Sequence, residues 1–169
     1  MEESKAHKII KWIVLTLAIA INVFLIVNAC LPGTQSTQET DVVVKPVIDT
    51  INTIKEDTVN ETNYVSFTRS FRKIIGHFFL FGVSGFLTTL SFKFFLYDRK
   101  QKLAFFIIFS SISGIFFAIL TEVIQTFVPG RTGMVTDVLI DLGGYFIGLL
   151  IVVLIVVIIN IRKNKKEKV

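Results

Sequence analysis

Four long apolar runs constrain this chain more than any other feature of its sequence. They cover about residues 12–30, 74–97, 103–121 and 136–161, and each is near the roughly 20 residues that an α-helix needs to cross a bilayer. Runs such as 147–161 do not alternate apolar and polar residues as the strands of a membrane barrel would. The sequence therefore predicts an all-α membrane protein with four transmembrane helices in a bundle.

Composition supports this class and excludes others. Hydrophobic residues make up 52% of the chain, more than the roughly 45–50% of soluble domains. A single soluble core is therefore not expected. The lone cysteine, Cys30, excludes an intrachain disulfide and a cysteine-rich metal site.

The first run has two interpretations. It has a basic start and an apolar core, which are typical both of a membrane anchor and of a secretory or lipoprotein signal. The sequence Val27-Asn28-Ala29-Cys30 makes a poor lipobox, because a bulky polar Asn stands in its middle. We expect a retained anchor, with a cleaved signal as the alternative.

The basic residues indicate how the helices are oriented. They form three clusters beside apolar runs: Lys5, Lys8 and Lys11; Lys93, Arg99, Lys100 and Lys102; and Arg162, Lys163, Lys165, Lys166 and Lys168. The positive-inside rule places these clusters, and therefore both termini, in the cytoplasm. Residues 1–11 and 162–169 are then basic cytoplasmic segments flanking one four-helix membrane domain, 12–161. Residues 31–73 form a long external loop, with a short interfacial helix, between helices 1 and 2.

The same clusters bear on partners. A net charge of +5 could suit nucleic acid, but bases placed beside membrane spans are typical of topology determinants that touch anionic lipid. We therefore expect membrane lipid as a partner, no nucleic acid, and a multi-pass protein of the cell membrane.

A few polar and ionisable residues lie at the predicted outer ends of spans two, three and four. Such residues are costly near a bilayer unless they are paired or hydrated, so they are functional candidates. The set is His77, Glu122, Gln125, Arg131, Asp137 and Asp141.

Helical spacing predicts that this set converges. Asp137 and Asp141 share a stripe of about 60° with Gly144 and Gly148, a small-residue pair that allows close helix packing. The stripe should face the bundle and carry the acids inward. Span two offers the stripe His77, Ser84, Thr88 and Ser91, and span three offers Ser111, Ala118 and Glu122.

Arg131 follows a turn at Pro129 and Gly130, which should hold its guanidinium in place. A held guanidinium suits a phosphate or carboxylate, and Arg69, Arg72 and Lys73 could enlarge that positive surface. Alternatively, Arg131 neutralises Glu122 or Asp137 and the whole set only locks the helices together. A His with three acids could hold a divalent ion, but no spaced metal motif is present, so we expect no metal or other cofactor.

These residues resemble VanZ-like membrane proteins over about residues 12–155. The resemblance is carried by Glu122 with Gln125, by Pro129-Gly130-Arg131, by Asp137 with Asp141, and by Gly144 with Gly148. Two weaker segments agree: Arg72-Lys73 followed by His77, and Leu31-Pro32-Gly33. Asp141 stands where the family more usually has Asn.

The resemblance implies a Gram-positive type of bacterial membrane protein acting at the cell envelope. The family is linked through its founding member to resistance to the glycopeptide teicoplanin. The resemblance does not imply that this particular chain confers resistance.

Three hypotheses follow for the polar set. In the first, Lys73, His77, Glu122, Gln125, Arg131, Asp137 and Asp141 bind or modify an anionic envelope component, such as a lipid-linked cell-wall precursor or a glycopeptide. In the second, the chain is a membrane-embedded hydrolase or transferase acting on a lipid-linked substrate, with His77, Glu122 or Asp137 as catalytic candidates. In the third, the set is purely structural. The sequence does not decide whether the chain is an enzyme, nor its oligomeric state.

Overall fold

The structure is a computed structural model that describes residues 4–96 and 103–166. Within these ranges the chain forms helices and short connections: α1 (Lys5–Cys30), α2 (Gly33–Ile54), α3 (Tyr64–Arg72), a π-helical segment (Lys73–Phe79), α4 (Leu80–Leu96), α5 (Ala104–Thr126) and α6 (Val135–Lys166). The predicted bases Arg99, Lys100, Lys102 and Lys168, and the predicted end of span two at Tyr97, lie outside the described residues.

Four helical stretches of the described chain are long and apolar enough to cross a membrane. They are Lys5–Cys30, Tyr64–Leu96, Ala104–Thr126 and Val135–Lys165. The prediction of an all-helical protein with four membrane spans is confirmed. The second stretch begins ten residues before the predicted start at Ile74, because α3, the π-helical segment and α4 form one continuous helix.

The segment predicted as an external loop with one short interfacial helix, 31–73, contains more helix than predicted. α2 is 22 residues long, and α3 follows after a short connection. Val44 and Ile48 of α2 are buried four residues apart, a helical spacing, and they pack in one apolar cluster with Val59, Phe67 and Phe71. Burial of these apolar side chains stabilises the helices of this otherwise polar segment.

α6 makes its most extensive contact with α4, through glycines. A Cβ atom at Gly144 would collide with the carbonyl of Phe78, one at Gly148 with the backbone of Gly82, and one at Gly85 with the carbonyl of Tyr145. The two backbones are therefore closer than any side chain would allow. Close packing of this kind is the main attraction between helices in lipid.

Two buried hydrogen-bond networks join the helices at mid-span. Asn22 of α1 donates through Nδ2 to Thr88 Oγ1 (3.0 Å) and accepts from Ser84 Oγ (2.9 Å), both on α4. Ser110 of α5 lies 2.5 Å from Thr89 Oγ1 and 3.2 Å from the hydroxyl of Tyr145 on α6. These contacts join α4 to α1 and to α5, and they join α5 to α6.

The connection between α1 and α2 contacts the turn between α5 and α6. Gly33 N donates to the carbonyl of Pro129 at 3.1 Å, and a Cβ at Gly33 would collide with the carbonyl of Gly130. Gly130 has φ +73°, a left-handed conformation that suits glycine. Two segments far apart in sequence are thus fixed at the same end of the bundle.

Candidate functional site

A cavity of about 630 Å³ lies at this end of the bundle, between the α1–α2 junction, the π-helical segment and the α5–α6 turn. Four basic side chains line it: Arg69, Arg72, Lys73 and Arg131. His77, Gln125, Asp137 and Asp141 also line it. The polar residues that the sequence predicted for the site therefore lie close together. Glu122 is next to His77, with 3.9 Å between Glu122 Oε1 and His77 Nδ1.

His77 is positioned by the π-helical segment and held by Asp141. The distance from His77 Nδ1 to Asp141 Oδ1 is 3.0 Å, and the side chain of Asp141 is fully buried. The side chain of His77 is 14% exposed, so one part of the imidazole reaches the cavity. A carboxylate that holds an imidazole in this way fixes the orientation of its ring.

Lys73 lies one turn of the wide helix before His77, and its ammonium group binds Asp137. The distance from Lys73 Nζ to Asp137 Oδ1 is 2.5 Å, with the Lys side chain 26% exposed. Lys73 is thus a cationic partner of Asp137. Asp137 is only 8% exposed, so this partner matters for the free energy of the folded state.

Glu122 holds the connection that leads into α6. Its Oε2 accepts a hydrogen bond from the backbone N–H of Met134 at 2.8 Å, and Gln125 Nε2 lies 3.4 Å from Oε1. Glu122 is 4% and Gln125 8% exposed. Glu122 therefore stabilises the connection into α6 and also lies beside His77.

The turn after α5 places Arg131 at the cavity wall. The backbone N–H of Arg131 donates to the carbonyl of Val128 at 3.1 Å, which closes the turn around Pro129 and Gly130. The side chain of Arg131 is half-buried and lines the cavity together with Arg69 and Arg72, which come from a different segment of the chain. Gly144 and Gly148 lie deeper, at the contact of α6 with α4.

The arrangement also brings potential metal ligands together. One donor atom each from His77, Glu122 and Asp137 lies within 4.8 Å of the other two. The three residues come from three different helical elements, so linear spacing could not indicate this group.

Sequence reasoning missed several polar residues that organise the site's surroundings. Asn22 was not singled out, because one Asn in an apolar run carries no indication of its partners. In span three the fully buried serine is Ser110, one position before the predicted Ser111, which is half-buried. The π-helical geometry that turns Lys73 and His77 toward α6 has no simple sequence pattern.

A model of the VanZ/LLP1 family matches residues 12–157. The chain belongs to the VanZ/LLP1 family. The match includes all of the residues predicted for the site, and it starts and ends within α1 and α6 of this VanZ/LLP1 protein. Searches of curated proteins and of solved structures found no match.

Proposed function

We propose that this VanZ/LLP1 protein binds an anionic head group of a cell-envelope component in the cavity beside His77. The observation that carries the proposal is the lining: Arg69, Arg72 and Lys73 from one segment and Arg131 from the α5–α6 turn line one cavity. Guanidinium groups bind phosphate and carboxylate through paired hydrogen bonds, which makes a phosphate or pyrophosphate on a lipid carrier the best-suited ligand.

The position of the cavity supports a ligand that is anchored in the membrane. Apolar residues, among them Leu25, Ile75 and Phe81, line the cavity together with the bases. A lipid-linked precursor combines a charged head with an apolar chain, so it matches both kinds of lining. If the positive-inside orientation holds, this end of the bundle faces outward, where glycopeptides meet cell-wall precursors. We propose on this basis that the protein acts at the cell envelope and affects susceptibility to teicoplanin.

Binding is tested with the purified full-length protein in nanodiscs of zwitterionic lipid. We expect saturable binding of a short-chain polyprenyl pyrophosphate, and at least tenfold weaker binding by Arg131→Gln and by Arg72→Gln. Lys45→Gln is the matched control, because Lys45 is an exposed base of α2 that does not line the cavity. Equal affinity for all four proteins would refute the proposal.

Activity in cells is tested by teicoplanin susceptibility of a sensitive Gram-positive host that expresses the wild type, Arg131→Ala, Glu122→Gln or Asp137→Asn. Membrane levels are measured alongside. Protection by the wild type alone, at equal levels, supports a functional site in the envelope pathway. Protection by all variants would indicate that the cluster is structural, and no protection by the wild type would exclude the link to resistance.

A membrane-embedded hydrolase or transferase is the second candidate. One observation favours it: Asp141 holds His77 at the cavity wall, and a carboxylate-oriented imidazole is a common general base. We expect, for a hydrolase, that water displaces phosphate from the bound pyrophosphate, with loss of release and retained binding in His77→Gln. Unchanged substrate after long incubation would exclude the hydrolase.

A further inference from the structure

We propose that a divalent metal cation binds beside the cavity through Glu122, Asp137 and His77, with Asp141 near them. This goes beyond head-group binding, because the cation needs no anionic ligand in order to bind. A donor set of one imidazole and several carboxylates suits Mn²⁺ or Zn²⁺. Ca²⁺ is less suited, because it takes oxygen ligands only.

The first argument is the distance between the donor atoms. The atoms offered by His77, Glu122 and Asp137 all lie within 4.8 Å of one another. Donors bound to one cation at about 2.0–2.2 Å are roughly 3–4.4 Å apart, so a small movement of the side chains completes the site. The π-helical segment, α5 and α6 each supply one donor, and their packing holds the three in place.

The second, independent argument is an unsatisfied oxygen. Asp141 is 0% exposed and lines the same cavity. Its Oδ1 contacts His77, whereas its Oδ2 has no hydrogen-bond partner among the residues that the structure describes. A buried carboxylate oxygen without a donor or cation costs free energy. A cation bound by His77 would bring a positive charge close to this carboxylate and lower that cost.

The remaining contacts leave donors available. Both described hydrogen bonds of Asp137, from Lys73 and Thr136, are made at Oδ1, which leaves Oδ2 for a cation. Glu122 receives Met134 N–H at Oε2, and its Oε1 lies 3.9 Å from His77 Nδ1. Because Asp141 contacts this same Nδ1, the cation would bind His77 through Nε2, and Asp141 would orient the imidazole in the way that carboxylates commonly support histidine ligands.

The test is a Mn²⁺ titration followed by electron paramagnetic resonance, in which the signal of free Mn²⁺ is lost on binding. The full-length protein is purified in nanodiscs of zwitterionic lipid without phosphate. We expect one bound Mn²⁺ per chain for the wild type, displaced by Zn²⁺. Glu122→Gln should weaken binding at least tenfold and Asp141→Asn at least threefold, whereas Asp49→Asn, at an exposed acid of α2, should leave binding unchanged.

Absence of saturable Mn²⁺ and Zn²⁺ binding by the wild type, or equal binding by all variants, would overturn the proposal. Asp141→Asn preserves the shape of the side chain and an acceptor for His77, so it still gives an answer if Glu122→Gln does not accumulate. The titration uses the cation alone, and head-group binding is measured separately in the presence of a chelator. Failure of one proposal therefore does not count as failure of the other.

Discussion

Single polar side chains decide much of how this bundle is held together. Asn22 is 7% exposed in the middle of α1. Its amide nitrogen donates a hydrogen bond to Thr88, and its amide oxygen accepts one from Ser84. The sequence indicated the small polar stripe Ser84 and Thr88 of span two but not its partner. A stripe follows from helical periodicity, whereas a partner on another helix follows only from the packing of the whole bundle.

We expect Asn22→Leu to lower the free energy of unfolding by about 0.5–1.5 kcal/mol, since interhelical hydrogen bonds in membranes average about 0.6 and reach about 1.7 kcal/mol. Ser84 loses its acceptor in this variant. The measurement is unfolding in mixed micelles of wild type, Asn22→Leu, Ser84→Ala and the double variant. A double variant whose cost equals the sum of the two single costs would show that the two side chains are not coupled.

We expect the ion pair between Lys73 and Asp137 to stabilise the fold. Lys73→Met leaves the nearly buried carboxylate of Asp137 without its ammonium partner, so we expect a loss of about 1.5–3 kcal/mol of stability. Adding Asp137→Asn should recover part of that loss, because the unpaired charge is removed. Thermal unfolding of both variants measures this. No recovery in the double variant would mean that Lys73 stabilises the fold through contacts other than Asp137.

At the scale of helices, some features could be predicted and others could not. The spacing of Gly144 and Gly148 indicated a close-packed face, and the structure places both against the backbone of the second span. By contrast, the Ser/Thr/Gln-rich start of α2 carries no strong helical pattern, and its order depends on the later apolar residues Val44 and Ile48 and their contact with α3. Local periodicity predicts faces, and distant contacts decide which polar segments become ordered.

Two neighbouring glycines of α6 give a matched test of this packing. A Cβ at Gly144 would collide with the Phe78 carbonyl, whereas one at Gly143 would meet only the Phe78 ring at an ordinary 3.7 Å. We therefore expect Gly144→Ala to cost about 1–3 kcal/mol through overpacking. Gly143→Ala should be neutral or slightly stabilising, because Ala favours the helix. Unfolding in micelles compares the two. Similar costs for both would contradict the packing described here.

For the whole molecule, the apolar runs were sufficient to predict four spans, and the family match covers two of them fully and most of the other two. Convergence of the polar set at one end of the bundle followed from the span order and from helical stripes. The cavity itself could not be predicted, because part of its lining forms where Gly33 contacts Pro129 and Gly130. That contact joins two connections with no local relation in sequence.

The orientation of the chain in the membrane can be tested by cysteine labelling. In a Cys30→Ser background, we expect Glu61→Cys to react with a membrane-impermeant maleimide in intact cells, because residue 61 lies in the exposed connection before α3. Lys165→Cys, in the exposed basic end of α6, should react only after permeabilisation. The measurement is gel-shift labelling of both variants. The opposite pattern would place the cavity on the cytoplasmic side.

The π-helical segment 73–79 has a consequence for the phase of the second span. Its wider turns accommodate more residues than an α-helix of the same height, so the faces before and after it are not in the register that simple α-helical counting gives. An α-helical residue advances about 100°, and a π-helical residue advances less. A deletion of one residue within 73–79 would therefore let the segment become α-helical with little net rotation of α3 relative to α4. Phe67 and Phe71 would keep their contact with α2, and the packing of Gly82 and Gly85 against α6 would be unchanged.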